Sequence, residues 1–571
     1  MIYTLAFIIL IGILVFVHEL GHFLMGKLCK VKIEAFSIGF GKPLLHKKVG
    51  DTDYRISAIP LGGYVKFFGD DEKDGKVDPT LKHLTFYGQP VPKKSLIAFA
   101  GPAFNFVLAG ILFATVYFIG EPNISTVIGY VEPESVAYNS GLQDADKILS
   151  VNGKNVETWT EMDELISLND ESVLLKIKRG EAIKDQMIPL EEGIARNKYG
   201  EIVTKHQILG ISPNKRSTLL GIVNDSNSTA FKAGFRTGDL VTEVDGKKVE
   251  SWNEFESALS SSGTSVKIKI KREKEKNELE LLINKTPYNA KNTDKVYNVA
   301  GTASITDHYY DYANSLGFYP SELFVSDFVK KDSPAVLAGM QKGDRLVAIN
   351  GKILRGFQSL QQIVDKAGKK NEGLSILVER GTSLAVLKVS PTMQNIDHKE
   401  IGQKEKRFLL GVQTYFYMGP VVEKKIIIRN PFKLLWASIE KTSTWIWIRL
   451  VGLIELFTGS VSLKAIGGRH MIGMVAGDSL HLGIVYFLRI MAIISINLGV
   501  INLFPIPVLD GGHLLFFGIE AVIGRPIKDR YLMIAQQIGF YLLMALVVLS
   551  FYNDILKYGS NILSMFLGFF K

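Results

Sequence analysis

Residues 16–23 have the sequence Phe16-Val17-His18-Glu19-Leu20-Gly21-His22-Phe23, which decides how the remainder of the chain is interpreted. His18 and His22 are four residues apart, so on an α-helix they project from one face and can bind a single metal ion. Glu19 directly follows the first histidine, as the general base does in the H-E-x-x-H motif. The stretch therefore predicts a metal site with a catalytic carboxylate beside it.

The motif follows a long apolar segment. Residues 2–17 contain no charged side chain and are typical of the first part of a membrane span. Histidine and glutamate are costly inside a bilayer unless they pair or bind a metal ion, which favours a functional site within the membrane. The alternative is a span that ends at Val17 and leaves both histidines in solvent.

The 571-residue chain is 47% hydrophobic. Four segments are apolar over about 20 residues, the length that a bilayer requires. They lie within residues 1–25, 95–119, 483–513 and 531–551. The first segment lacks a preceding basic residue and a following cleavage site, so we expect it to be retained. The sequence predicts a multi-pass α-helical membrane protein with four transmembrane helices.

Positive charge orients these spans. Lysines flank the loop 26–94 at both membrane edges, and Arg525, Lys528 and Arg530 lie between spans three and four. Both loops are therefore expected on the cytoplasmic side, and the long insert between spans two and three on the outer side. This topology accounts for the net charge of +9, and with no aromatic-interleaved basic patch we expect membrane lipid, not nucleic acid, as a partner. Cys29 is the single cysteine, so no disulfide forms within the chain.

Two further segments are predicted to lie at the membrane. The loop 26–94 alternates apolar and polar residues between glycines, which predicts a membrane-associated β-hairpin whose free edge could pair with an unwound substrate. An ordinary surface hairpin fits the same pattern. Residues 430–458 are amphipathic and contain three tryptophans, which favours interfacial helices over a span, with a helix buried against the outer domains as the alternative. In span two, Asn105 is interpreted first as a helix-packing residue, and it could also hydrogen-bond to a neighbouring span.

The outer insert contains three copies of one pattern, each a glycine turn, a strand and an Asn-Gly or Asp-Gly hairpin turn. The copies run from Ser140-Gly141 to Asn152-Gly153, from Ala233-Gly234 to Asp245-Gly246, and from Ala338-Gly339 to Asn350-Gly351. Their spacing is that of small domains of about 100 residues. The copies resemble PDZ domains of bacterial envelope proteases, which implies three α+β PDZ-like domains at 125–200, 207–286 and 315–393.

The end of the third span contains a second polar motif. Residues 502–513 have the sequence Asn-Leu-Phe-Pro-Ile-Pro-Val-Leu-Asp-Gly-Gly-His. The two prolines break the helix, and Asp510 lies beside the break. Spans one and three run in the same direction, so Asp510 is expected at the depth of His18 and His22. Two histidines, one carboxylate and a water form a catalytic zinc set.

With G-P-A-F-N in span two, these motifs resemble the site-2 protease family of intramembrane zinc metalloproteases, in particular its bacterial type with PDZ domains between spans two and three. The resemblance implies that His18, His22 and Asp510 bind Zn²⁺, that Glu19 activates water, and that Asn502 binds the substrate backbone. It also implies a bacterial inner-membrane protein with a cytoplasmic-side active site and periplasmic PDZ domains. The implied substrates are single-pass membrane proteins, namely anti-sigma factors and remnant signal peptides, cleaved in regulated intramembrane proteolysis during a stress response.

Two features depart from that family pattern. The family type usually has two PDZ domains, whereas three copies are present here, and Arg469-His470 stands where a proline and an aliphatic residue are expected. The alternative function is a catalytically inactive, membrane-anchored PDZ scaffold, which would contain no metal. A transporter would show inverted repeats between its span pairs, and the sequence shows none.

Overall fold

We describe a computed structural model, which defines residues 2–69, 78, 80–196, 202–208, 210–273, 275, 277–285, 294–299, 303–307, 312–398, 403–415, 417–458, 469–525 and 527–569. The chain folds into two compact units. The first includes Met1–Pro122 and Lys425–Lys571. The second consists of Asn123–His398 and Gln403–Lys424. Both ends of the chain therefore contribute to one unit, and the repeats form the other.

The first unit begins with two long helices separated by strands. Its elements are α1 (Ile2–Leu28), β1 (Ile33–Val49), β2 (Thr52–Phe67) and α2 (Val91–Ile119). Leu10 and Leu14 of α1 pack against Phe113 of α2 in a fully apolar core. Small residues allow the two helices to approach closely, since the position of a Gly21 side chain is taken by the backbone carbonyl of Ala100.

The two strands bend into a small sheet. Residues 35–38 of β1 pair antiparallel with residues 63–66 on one side, and on the other side they pair with residues 53–56 in a register that rises in the same direction along both segments. Gly39 makes this bend possible, because its φ of 89° is one that other residues rarely adopt. The segment 63–66 consequently lies at an edge of the sheet, among the strands that the structure describes. Strands β1 and β2 therefore form a hairpin in which residues 35–38 of β1 also pair with two separate segments of β2.

The second unit contains three modules of one topology, preceded by β3 (Glu121–Ile124). Module 1 comprises β4 (Tyr130–Val131), α3 (Val136–Asn139), β5 (Lys147–Val151), β6 (Lys154–Asn155), α4 (Trp159–Ser167), β7 (Ser172–Arg179), β8 (Ala182–Pro189), β9 (Glu191–Arg196), β10 (Ile202–Gln207) and β11 (Ile211–Ser212). Module 2 comprises β12 (Leu220–Ile222), α5 (Thr229–Lys232), β13 (Leu240–Val244), β14 (Lys247–Lys248), α6 (Trp252–Ser261), β15 (Ser265–Lys271), β16 (Leu279–Asn284), β17 (Lys295–Tyr297), β18 (Ile305–Asp307), α7 (Tyr312–Leu316) and β19 (Phe318–Pro320). Module 3 comprises β20 (Val325–Phe328), α8 (Pro334–Leu337), β21 (Arg345–Ile349), β22 (Lys352–Ile353), α9 (Phe357–Lys369), β23 (Leu374–Arg380), β24 (Ser383–Val389), β25 (Thr392–His398), β26 (Gln403–Leu409) and β27 (Val412–Thr414).

Each module contains a four-stranded antiparallel sheet with the same strand order. The orders are β6-β5-β7-β8, β14-β13-β15-β16 and β22-β21-β23-β24. A buried aspartate after the glycine turn forms a two-point ion pair with an arginine at the end of the third strand of the sheet. The pairs are Asp146–Arg179, Asp239–Arg272 and Asp344–Arg380, at 2.7, 2.7 and 2.6 Å between Nε and Oδ1. The sequence repeat is thus a structural repeat.

The modules extend beyond the ranges predicted from the repeat. In each one the first strand pairs with a last strand that lies outside the predicted range, as β4 with β11, β12 with β19, and β20 with β27. The buried cores accordingly include Ile208 in module 1, Phe318 in module 2 and Leu410 in module 3. These closing strands are two or three residues long, too short to show a periodic pattern.

The chain returns to the first unit through β28 (Glu423–Ile426) and five helices. These are α10 (Pro431–Thr458), α11 (Arg469–Leu482), α12 (Ile484–Asn502), α13 (Asp510–Ile523) and α14 (Asp529–Phe569). Within the described residues, four helical segments are long and apolar enough to cross a membrane, namely Ile2–Leu28, Val91–Ile119, Ile484–Asn502 and Arg530–Asn553. The third predicted segment, 483–513, is divided between α12 and α13.

Helix α10 has two different faces. Trp445, Ile446 and Leu453 pack against the apolar core formed by α1, α2 and α12. Trp436 and Phe432 lie on the opposite face and are 71% and 84% exposed. One continuous helix therefore covers the predicted amphipathic segment and packs against the span helices of the first unit.

Candidate metal centre

The two histidines of the opening motif and the aspartate of the closing motif converge on one point. The Nε2 atoms of His18 and His22 are 3.2 Å apart. The Asp510 carboxylate lies 3.2 Å from His18 Nε2 through Oδ2 and 3.5 Å from His22 Nε2 through Oδ1. Within the described part of the chain, these three residues form the group of histidine, cysteine and acidic side chains whose ligand atoms are close enough to hold one metal ion.

Helix α2 approaches the histidines closely because it has a glycine at the contact. A Cβ atom on Gly101 would overlap the Nε2 atom of His22 and lie 2.8 Å from that of His18. The space in front of both nitrogens therefore exists only because residue 101 has no side chain. The glycine of the G-P-A-F-N motif thus leaves room for an ion.

A backbone carbonyl of the same helix orients His22. Its Nδ1 lies 2.8 Å from the carbonyl oxygen of Ile97, which can only accept a hydrogen bond. Nδ1 must therefore carry the proton, and the Nε2 lone pair points at Asp510 and His18. This is the arrangement by which metal-binding histidines are usually oriented.

Asn105 orients His18 in the same way. The Asn105 amide lies 3.0 Å from His18 Nδ1, and its Oδ1 is buried without a hydrogen-bond partner. Exchanging the amide oxygen and nitrogen, which are nearly the same size, satisfies both groups because Nδ1–H of His18 then donates to Oδ1. That tautomer leaves Nε2 free to bind a metal ion. Packing was the first interpretation of Asn105 from the sequence, and its contact with His18 of α1 corresponds to the second, a hydrogen bond to a neighbouring span.

The break between α12 and α13 brings Asp510 into the site. Pro505 and Pro507 lie in the broken segment, and Asp510 is the first residue of α13. Gly511 and Gly512 pack directly on the backbone of that segment, because side chains there would overlap the carbonyls of Leu503 and Ile506. The Asp-Gly-Gly sequence therefore folds a tight re-entry that presents the carboxylate at the helix start.

Glu19 lies beside the three converging residues. Its carboxylate accepts a hydrogen bond from the backbone N–H of Val65 on the edge segment of the hairpin. Glu19, Tyr64, Val65 and Asp510 line a common cavity of about 320 Å³ with both histidines. The side chains of His18, Glu19, His22 and Asp510 therefore all adjoin one cavity.

Two other polar residues lie at the site. The Asn502 amide nitrogen is 3.4 Å from His18 Nε2, so the structure places this predicted residue next to the ligand atoms. His513 lines the same cavity one helical turn after Asp510. No role was predicted for His513 from the sequence, although its i, i+3 spacing from Asp510 puts both residues on the same face of a helix.

The three side chains fit a tetrahedral Zn²⁺. Zinc bonds to nitrogen and oxygen of about 2.0–2.2 Å place tetrahedral ligand atoms about 3.3–3.6 Å apart. The 3.2 Å between the two Nε2 atoms and the 3.2 Å between His18 Nε2 and Asp510 Oδ2 are each close to one edge of such a tetrahedron, and the 3.5 Å contact of His22 reaches the other carboxylate oxygen. The space at Gly101 and the two oriented imidazoles agree with a bound cation.

Comparison with known proteins gives the same assignment. Peptidase family M50 matches residues 6–546. The chain is 30% identical to Protease RseP of Yersinia pestis over 96% of this chain and 97% of the relative, and 28% identical to the Regulator of sigma-E protease RseP of Escherichia coli over the same shares. It is also 30% identical, over 96% of this chain and 97% of the relative, to a Vibrio cholerae protein named as a candidate zinc metalloprotease.

A PDZ domain protein from Parabacteroides distasonis, a solved structure, is 12% identical over 47% of this chain and 94% of its own. Its TM-score of 0.11 is too low for any conclusion about the modules. The family match and the relatives confirm the family to which the motifs pointed. This chain belongs to peptidase family M50, the site-2 proteases, together with relatives named as regulators of sigma-E.

Proposed function

We propose that this protein is an intramembrane zinc endopeptidase that cleaves peptide bonds within or beside the transmembrane segment of single-pass membrane proteins. The observation on which the proposal rests is that Asp510 converges with His18 and His22 beside Glu19, and that both histidines and Glu19 lie on a helix apolar enough to span a bilayer. Such polar groups are costly at membrane depth, so their clustering favours a catalytic function over a structural one.

In this mechanism His18, His22 and Asp510 hold the Zn²⁺. A zinc ion in such a site supplies Lewis acidity, which polarises the scissile carbonyl and makes water a nucleophile near neutral pH. Glu19 takes the proton of the attacking water and later donates it to the leaving amine. Its hydrogen bond from Val65 fixes the carboxylate at the cavity, facing the metal ligands.

The edge segment 63–66 is our candidate for holding the substrate. The carbonyls of a helical substrate are hydrogen-bonded internally, so the helix must unwind before hydrolysis. Tyr64 and Val65 of this edge line the cavity, and the edge of a sheet can take up an extended peptide by β-addition. Asn502, which is next to His18, is placed to donate a hydrogen bond to the extended backbone.

The substrates we propose are anti-sigma factors and remnant signal peptides in a bacterial inner membrane. Support comes from relatives whose names refer to sigma-E regulation. The charge distribution favours an active site near the cytoplasmic side and modules on the periplasmic side. We propose that the three modules are PDZ-like domains that admit substrates already trimmed outside the membrane.

The alternative of an inactive PDZ scaffold is less favoured. A scaffold does not require two oriented imidazoles, a carboxylate between them and a glycine that leaves space in front of their nitrogens. Loss of function would remove the constraint on these residues, yet the described site has all of them.

Replacing Glu19 by Gln tests the function. We expect cleavage of a model single-pass substrate in proteoliposomes to fall by about 10²- to 10⁴-fold, because the general base is lost, while zinc content stays at the wild-type level. The matched control is Glu440→Gln, which changes an exposed acid on α10 and should leave both quantities unchanged. Cleavage at the wild-type rate by the Glu19→Gln protein would contradict the assigned base, and a wild-type protein without zinc would favour the scaffold.

A further inference from the structure

A buried ion pair joins the helices that flank the metal centre. The Lys94 ammonium, in the first turn of α2, lies 2.8 and 3.0 Å from the two carboxylate oxygens of Glu520 on α13. It also lies 5.0 Å from the centre of the Phe517 ring. Lys94 is only 4% exposed, and the Glu520 side chain is 19% exposed. The mechanism described above uses neither residue.

Because the pair is buried, each of its two charges depends on the other for compensation. Removing one member of a buried ion pair leaves an uncompensated charge in a poorly solvated place, which is far more destabilising than loss of a surface pair. Without Glu520, the Lys94 ammonium reaches water only if α13 moves away. The pair therefore fixes the distance between α2 and α13 at this end of the site.

Each of the two helices carries part of the metal centre. Ile97, whose carbonyl orients His22, is three residues after Lys94 on α2. Asp510 is ten residues before Glu520 on α13, about 15 Å along the helix axis. The chain enters α13 through the segment 503–509, which is not helical. The backbone before Asp510 therefore does not by itself align α13 with α2.

Apolar contacts support the same junction without fixing its register. Phe517 is buried in a cluster with Phe86, Ile97 and Ala98. Aromatic and aliphatic contacts tolerate sliding of a helix by a fraction of an ångström, whereas a two-point ion pair does not. A displacement of about 1 Å is large relative to the tolerance of zinc–ligand bond lengths.

We propose that Lys94 and Glu520 are positioning residues that hold Asp510 at bonding distance from the ion bound by His18 and His22. The inference rests on the proposed function, because it assumes that these three residues bind a metal. Neither Lys94 nor Glu520 contacts substrate or metal. Their effect is transmitted along α13 to the carboxylate and through Ile97 to the imidazole.

The test uses the purified full-length protein with Co²⁺ in place of zinc, since the visible spectrum of Co²⁺ reports its coordination. We compare Lys94→Met, Glu520→Gln and the exchange variant Lys94→Glu/Glu520→Lys. Each single variant should bind Co²⁺ about 10- to 100-fold more weakly, with an altered spectrum, as supporting residues of metal sites do. The exchange variant should recover most of the affinity and the wild-type spectrum.

Asp51→Asn is the matched control, because Asp51 forms an exposed pair with Lys32 on the same predicted side of the membrane, and it should change neither quantity. Size-exclusion profiles and melting temperatures identify any variant that does not fold. Unchanged affinity and spectrum in both single variants would overturn the proposal, as would a folded exchange variant that binds as weakly as the single ones. A wild-type protein that binds no Co²⁺ or Zn²⁺ would instead refute the proposed function.

Discussion

The metal centre and the repeat modules are specified in opposite ways. In module 2 the stabilising pair Asp239–Arg272 joins residues 33 positions apart, and the same pair recurs in the other modules. At the metal centre Asn502 and His18 are 484 positions apart, and the described residues contain one such site. A module thus depends on its own segment of chain, whereas the centre depends on the packing of helices from both ends.

This difference has a thermodynamic consequence. Contacts within a module close loops of moderate length and do not require the helices of the first unit. The metal ligands meet only after α1, α2, α12 and α13 have packed. Damage to a module should therefore spare metal binding, and damage to the α1–α2 contact should spare the modules.

The largest effect is expected from Gly101→Ala. The new methyl group would overlap His22 Nε2 and crowd His18, so it occupies the space where the ion would bind. We expect zinc affinity to fall by at least about 100-fold, with a parallel loss of cleavage. Equilibrium dialysis against a zinc indicator measures the affinity.

Gly110→Ala is the matched control on the same helix. A Cβ atom there would meet only Thr442, at an ordinary 3.8 Å. This variant should bind zinc normally, and hydrogen exchange of the modules should be unchanged in both variants. A Gly101→Ala protein that binds zinc as tightly as wild type would contradict the claim that the ion occupies the space in front of Gly101.

A smaller effect is expected from Asp239→Ala in module 2. The carboxylate is fully buried and accepts hydrogen bonds from Arg272 and from the backbone N–H of Arg236. Because Arg272 keeps 30% of its side chain in solvent, we expect a loss near the lower end of the range for buried pairs, about 3 kcal/mol. Hydrogen exchange of β13 and β15 should report it, while zinc content stays unchanged.

Lys267→Ala provides the contrast within the same module. Both side chains of its ion pair with Glu280 are exposed, so the free energy of unfolding should change by no more than about 0.5 kcal/mol. Loss of zinc in the Asp239→Ala protein would show that the modules and the centre are not independent.

Apart from the control variants, the smallest effect is expected from Asn350→Ala in the hairpin turn of module 3. Asn350 has a φ of 48°, and its side-chain oxygen accepts a hydrogen bond from the backbone N–H of Ser375. Alanine disfavours that backbone conformation and lacks the acceptor, so we expect a loss of about 1–2 kcal/mol from local stability. Glycine adopts the positive φ readily but also lacks the acceptor, so the local stability of Asn350→Gly should lie between those of wild type and Asn350→Ala. Hydrogen exchange of module 3 measures this stability, and equal exchange rates in all three proteins would contradict this account.

The sequence contained enough information to predict the residues that converge at the proposed metal centre, but not the groups that orient them. His18, Glu19, His22 and Asp510 were found because histidine and acid within apolar spans are conspicuous. Asn105 was interpreted as packing, since one amide in a span can serve either purpose until its neighbours are known. The role of the Ile97 carbonyl could not be predicted, because a backbone group has no signature in the sequence.

The fold was predictable wherever a pattern was long or repeated. Apolar length located the spans, and the glycine turns located the three modules. The closing strands β11, β19 and β27 were missed because they are two or three residues long and lie well after the repeated motif. The central pairing of residues 35–38 with two segments of β2 depends on bends at glycine, which alternation alone does not reveal.

The pairing of first and last strands affects how the chain can vary. Each module starts and finishes at neighbouring points, and the whole stretch from Asn123 to Lys424 does so too, with the Ser125 N–H donating to the Val422 carbonyl over 2.9 Å. An insert built in this way can gain a copy by tandem duplication, or lose one, without altering the gap between its two points of attachment. Module number is therefore free to diverge among descendants of one ancestral gene while the membrane chemistry is inherited intact.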